Sequence, residues 1–148
     1  MSLKRHPALQ PFSRDHLIGL FHAQNLIKAE RGEKELSATV ESFANAWQRE
    51  ISVHFADEDR LLGHLAIKQE SLKRLDKEHV ELTALILQLL HEPTSAQLAA
   101  SAGKFLDAHI RWEEHELFPE IESTLSPSEL QGLEQETLRI EQTRNRSL

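Results

Sequence analysis

Two stretches of this sequence carry the same pair of ionisable residues at the same spacing: His54-Phe-Ala-Asp-Glu58 and His109-Ile-Arg-Trp-Glu113. On a helix, positions four apart lie one turn apart on the same side. Each pair therefore presents an imidazole and a carboxylate together, able to share a proton or hold a metal ion. The chain has nine histidines and no cysteine. Histidine is the commonest metal ligand and the usual acid–base group near neutral pH. Without cysteine, disulfides, zinc–thiolate sites, iron–sulfur clusters and thiol catalysis are excluded on this chain.

These residues need helices to position them, and the sequence predicts five. The first runs from about Ser13, read as its N-cap, to Arg31, with Gly32 as the stop. The second runs from about Ser37 to Leu65, and the third from Gln69 to His91, ahead of Pro93. The fourth begins after Thr94 or Ser95 and reaches Phe118, where Pro119 should end or kink it. Ser126-Pro127-Ser128-Glu129 is a capping box opening a short fifth helix, about 127–143, expected to lie across one end. Short connections imply an all-α, up-down-up-down four-helix bundle with this extra C-terminal helix. The 148 residues read as one domain, with its core at about 12–120.

Each of the four long helices places one histidine in the middle of its apolar face. These are His16 among Phe12, Leu20, Ala23 and Ile27; His54 among Trp47, Ile51, Leu61 and Leu65; His79 among Leu72, Leu75, Leu82, Ile86 and Leu89; and His109 among Ala102, Phe105, Leu106, Trp112 and Leu117. Glu58 and Glu113 share the faces of His54 and His109, so a histidine helix followed by a His-x-x-x-Glu helix occurs twice. Asp57, Asp59 and Glu114 are expected to point elsewhere. His22 and His115 are turned about 120° from the site, His64 and His91 fall near helix ends, and His6 precedes the first helix.

One histidine on an apolar stripe is ordinarily a hydrogen-bonded core residue, and one His-x-x-x-Glu pair is ordinarily solvated. The joint pattern is different. A buried carboxylate without a partner costs several kcal/mol, set against a net domain stability of about 5–15 kcal/mol. Two glutamates and four histidines aimed at one core require a cation among them. Six donors are too many for one tetrahedral zinc and divide into two metals, each with two histidines, bridged by both carboxylates. Imidazole suits zinc, copper, iron and nickel, while carboxylates favour harder ions.

The formal charge of −7 gives nucleic-acid binding little support. Neither the opening residues nor the most apolar stretch, 82–90, has the length of a secretory signal or a membrane span. A cytoplasmic protein with no membrane partner is expected.

The order Asp15-His16, His54-x-x-x-Glu58, Glu78-His79 and His109-x-x-x-Glu113-Glu114, followed by Leu117-Phe118-Pro119, resembles the hemerythrin/HHE cation-binding family over about residues 12–120. The resemblance implies two iron ions in an oxo- or hydroxo-bridged centre. His16 and His54 would hold one ion, His79 and His109 the other, and Glu58 and Glu113 would bridge them. It also implies a small ligand, O2, NO or peroxide, or a role in repairing iron–sulfur clusters under nitrosative stress. A non-redox zinc or other cation module is the alternative. Oxygen-carrying members have a fifth histidine one turn from the third-helix ligand. Here those positions hold Leu75 and Thr83, so an open coordination position is expected. Asp15, Glu78 and Glu114 adjoin these residues and could orient imidazoles.

Overall fold

The structure is a computed structural model describing residues 4–146, and all its regular elements are helical. Helix α1 spans Gln10–Glu30. Helix α2 (36–62) joins Leu36–Ala46, a π turn at Trp47–Ile51, and Ser52–Leu62. Helix α3 is Gln69–His91. Helix α4 (96–124) joins Ala96–Trp112, a second π turn at Glu113–Leu117, and Phe118–Thr124. Helix α5 is Pro127–Thr143.

Several boundaries follow from local chemistry. Gly32, at φ 79°, takes the left-handed conformation that lets the Glu33 amide reach the Lys28 carbonyl at 2.9 Å and close α1. Ser95 accepts from the Leu98 amide at the start of α4. At α5, Ser126 and Glu129 form the expected reciprocal cap.

Three expectations are corrected. Helix α1 starts at Gln10, not Ser13, because Pro11 presets its first turn and Ala8, Leu9 and Phe12 are buried. Ser13 instead donates its hydroxyl to Glu114 at 2.7 Å. Helix α2 ends at Leu62, with Gly63 as its cap, short of Leu65. Pro119 does not end α4. The wide turn before it carries the Phe118 amide back to the Glu113 carbonyl. Pro119 has no amide to offer the Glu114 carbonyl, which instead accepts from Arg5 Nη2 at 2.7 Å.

The principal contacts join α1 to α2 and α4, and α3 to α2 and α4, so the four long helices meet in a ring. The α1–α4 seam is close: a Cβ on Gly103 would lie 2.6 Å from the Ala23 carbonyl oxygen. Two apolar clusters fill the bundle. One contains Ala23, Phe43, Ile51, Phe55, Leu82, Leu106 and Ile110. The other contains Phe12, Leu62, Leu75, Trp112, Leu117 and Phe118, with Leu130, Leu133 and Ile140 from α5. Helix α5 also packs on α1. On every long helix the expected histidine falls where one cluster gives way to the other, so a polar layer crosses the bundle between two hydrophobic plugs.

Candidate metal centre

The structure brings all six sequence-predicted residues together in that layer. His16, His54, Glu58, His79, His109 and Glu113 are buried, and both glutamates are fully so. They form two groups of four, His16–His54–Glu58–Glu113 and Glu58–His79–His109–Glu113. Within each group one donor atom from every residue lies within 4.8 Å of all the others. One group holds His16 and His54, the other His79 and His109, and the glutamates belong to both.

Each glutamate divides its oxygens between the pairs. Glu58 Oε2 lies 3.0 Å from His54 Nε2 and 3.6 Å from His16 Nε2, while Oε1 lies 3.1 Å from His79 Nε2. Glu113 Oε1 lies 2.7 Å from His16 Nε2, while Oε2 lies 3.4 Å from His109 Nε2 and 3.9 Å from His79 Nε2. Despite this proximity, Nε2 of His54, His79 and His109, both oxygens of Glu58, and Glu113 Oε2 make no hydrogen bond. Their lone pairs converge on shared space rather than on one another. Buried polar atoms are ordinarily satisfied, so this donor set fits cations.

The opposite edge of each imidazole carries a carboxylate. His16 Nδ1 meets Glu114 at 2.6 Å, His54 Nδ1 meets Asp15 at 2.8 Å, His79 Nδ1 meets Asp59 at 2.7 Å, and His109 Nδ1 meets Glu78 at 2.7 Å. A carboxylate accepts at Nδ1, which places the ring proton there and leaves the Nε2 lone pair facing inward. Asp15, Glu78 and Glu114 orient imidazoles as expected, each on a helix other than its own. One expectation needs correction: Asp59 and Glu114 do not point away from the site. Asp15 crosses from α1 to α2, and Glu78 from α3 to α4. Asp59 and Glu114, each directly after a shared glutamate, reach α3 and α1. The signal that could have found them is the repeat written more fully: acid-His, then His-x-x-x-Glu-acid, twice.

Electrostatics follow from this crowding. Burial disfavours the charged form of His79, yet Asp59 and Glu58 beside it push its pKa up to about 10. His109, likewise opposed by burial, is raised to about 9 by Glu113 and Glu78. His16 and His54 are raised as well, and Glu58 is held well below the ordinary carboxylate range by His54, His16 and His79 despite its burial. The cluster attracts positive charge, and in a metal-free chain protons supply it.

The Hemerythrin HHE cation binding domain model matches residues 15–121, which include all six residues. The chain belongs to the hemerythrin HHE family. Comparison with curated proteins and with solved structures gives no significant match. Membership fits the buried His/Glu cluster. Phe55 stacks on His79 at 4.2 Å, and Phe118 stacks on His16 at 5.4 Å. Leu75, one turn before His79, is buried in the second apolar cluster, and Thr83, one turn after it, is half-buried.

A cavity of about 620 Å³ reaches His16, His54, His109 and Glu113. Ile18, Ile51, Leu106 and Ile110 line its apolar part, while Arg144 and Arg146, just beyond α5, stand on its wall. Among the remaining histidines, His22 is buried against Phe21 and Phe43, and His64, His91 and His115 are exposed. His6 lies before α1, where its Nδ1 accepts from the Ala8 amide. No helix among the described residues is long and apolar enough to cross a membrane.

Proposed function

We propose that this hemerythrin HHE chain is a non-haem di-iron protein that binds, senses or reacts with a small ligand, O2, NO or a peroxide. The observation that carries the reading is the pair of four-residue donor groups sharing Glu58 and Glu113. His16 and His54 would hold one ion, His79 and His109 the other, and both glutamates would bridge. Mixed imidazole–carboxylate donors suit iron, and similar carboxylate-rich centres sit in the cores of other helical bundles. The cyclic packing of the long helices and their short connections support the up-down-up-down topology of such bundles.

Ferrous ions bound here would supply the electrons for reduction of a small ligand. The protein's own part is to organise the site. Two histidines and two carboxylates would hold each ion, fewer donors than an octahedral metal accepts, so a position would remain for a small ligand. Leu75 and Thr83, one turn to either side of His79, supply no further imidazole, and the cavity reaches the His16, His54 and His109 side. Asp15, Asp59, Glu78 and Glu114 keep every imidazole in one tautomer. With no cysteine among these residues, no thiol beside the site supplies electrons. Cytoplasmic residence belongs to the same reading, since a reducing compartment maintains ferrous iron.

Elemental analysis of protein expressed with iron and purified without chelator tests the reading, with an absorption spectrum of the same sample. The expected result is about two iron ions per chain with near-ultraviolet charge-transfer absorption that changes on adding NO or peroxide. Zinc in place of iron would make this a non-redox cation module, and absence of any metal would overturn the proposal.

A further inference from the structure

The residues that hold the outer carboxylates are distributed unequally, and the strongest of them come from the ends of the chain. Asp15, which fixes His54, is gripped by two guanidinium groups. Arg144 Nε lies 3.2 Å from both carboxylate oxygens and its Nη2 2.9 Å from Oδ2, while Arg146 Nε lies 3.0 Å from Oδ1. Forked contacts of this kind define a carboxylate's orientation as well as its charge. Arg144 also reaches Asp57 on α2 at 2.9 Å, and Arg146 reaches the Pro11 carbonyl on α1 at 3.1 Å and Glu141 on α5 at 2.6 Å. The segment after α5 thereby ties α1, α2 and α5 together around His54. At the other end, Arg5 donates to the Glu114 carbonyl at 2.7 Å and to its carboxylate at 3.3 Å, beside the Ser13 hydroxyl, and Glu114 fixes His16.

The His79–His109 side has nothing equivalent. Glu78 is held by Arg74 one turn away on the same helix, with the arginine 49% exposed. Asp59 is 50% exposed, and among the described residues it meets no arginine. Exposed one-turn pairs of this type hold a carboxylate only weakly. Arg5, Arg144 and Arg146 all lie outside residues 15–121, so the bracing belongs to this chain's ends and not to the family segment.

We propose that Arg144 and Arg146, with Arg5, are positioning residues for His54 and His16, and that they make this half of the centre the more tightly held of two metal positions. The metal part of this inference rests on the functional reading above. Removing an outer partner of a metal-bound histidine ordinarily costs about 10–100-fold in affinity, and a braced partner constrains the imidazole more than a mobile one.

The full-length protein loaded with cobalt(II), whose visible absorption reports occupancy, is challenged with EDTA. Cobalt should leave in two phases, with the fast one removed by His79→Ala. In the double variant Arg144→Ala/Arg146→Ala the slow phase should accelerate about tenfold or more while the fast phase holds. Arg74→Ala should accelerate the fast phase alone. In chelator-treated protein, the Nδ1 proton of His54 should be slow to exchange with water by NMR, and should become fast in the double variant while that of His109 is unchanged. Should the double variant not fold, Arg144→Lys and Arg146→Lys singly keep the charge but lose the fork, and the same two readings are taken. An unchanged slow phase with an unchanged His54 proton overturns the proposal, as does equal acceleration of both phases. A wild-type chain that takes up no cobalt refutes the metal reading, and the His54 proton then decides the positioning role alone.

Discussion

The two halves of the polar layer are nearly copies in their inner geometry and unlike in their surroundings. Asp15-His16 with His54-x-x-x-Glu58-Asp59 and Glu78-His79 with His109-x-x-x-Glu113-Glu114 use the same residue types in the same order. In both, the acid before the first histidine binds the second, and the acid after the shared glutamate binds the first histidine of the other half. Outside that ladder the likeness ends. The carboxylates that serve His16 and His54 are held by arginines from distant parts of the chain, whereas those that serve His79 and His109 face solvent at Asp59 and Arg74. Donor identity therefore comes from a repeated pattern, while rigidity comes from contacts the pattern does not contain. The π turns differ in the same sense. In α2 the turn precedes His54, and in α4 it begins at Glu113, so equal spacing in sequence is reached through unequal backbones.

The largest expected effect treats the halves as equal. Glu58→Ala and Glu113→Ala each remove a carboxylate that belongs to both donor groups, and each should reduce bound metal from about two ions to one or none. Elemental analysis measures this, and a full complement in either variant would break the symmetry at its centre. The outer acids should separate the halves. Glu114→Ala should weaken metal binding toward the upper end of about 10–100-fold and Asp59→Ala toward the lower end, because water replaces the half-exposed Asp59 carboxylate more readily than one fixed by Arg5 and Ser13. Competition titration against a chelator would show the order.

Protons test the exposed half directly. His79 and His109 have ordinary values near 6.5 when unfolded and folded values of about 10 and 9, where neighbouring carboxylates outweigh burial. A raised folded value stabilises fully below the unfolded one and is lost as pH rises through the folded one. Chelator-treated protein should therefore lose thermal stability between about pH 6.5 and 10. Metal must displace those protons, so metal affinity should increase with pH over the same range. Across that range the melting temperature of chelator-treated protein should fall, while that of metal-loaded protein should hold nearly steady, because bound metal has already displaced the protons.

Smaller effects probe the seam that joins the halves. Gly103→Ala should destabilise the chain by about 1–3 kcal/mol, because the added Cβ would press on the Ala23 backbone, which has less freedom to yield than a side chain. Denaturant unfolding reads this. His115→Ala, at an exposed position beyond the ladder, should leave metal content and stability unchanged.

Much of this arrangement was legible in residue order. Helical periodicity placed His16, His54, His79 and His109 on apolar faces, and the His-x-x-x-Glu spacing singled out Glu58 and Glu113, because an amphipathic helix orients its side chains through local geometry alone. Gly32 and the Ser126–Glu129 cap marked helix ends for the same local reason. Pro119 misled, since a proline's effect on a helix depends on whether a wider turn and a distant donor, here Arg5, can absorb the missing amide. Which acid serves which histidine was hidden too. Neighbours on a helix diverge by about 100°, so Asp15 and Glu78 had to serve imidazoles on the next helix, and only the packing angle of two helices decides which one. The sequence by itself determined the donors and the helices that present them. Tertiary structure alone decided the pairing of acids with imidazoles, the cavity, and the clasp of Arg5, Arg144 and Arg146. Those depend on where chain ends separated by more than a hundred residues meet, and no local pattern encodes such a contact.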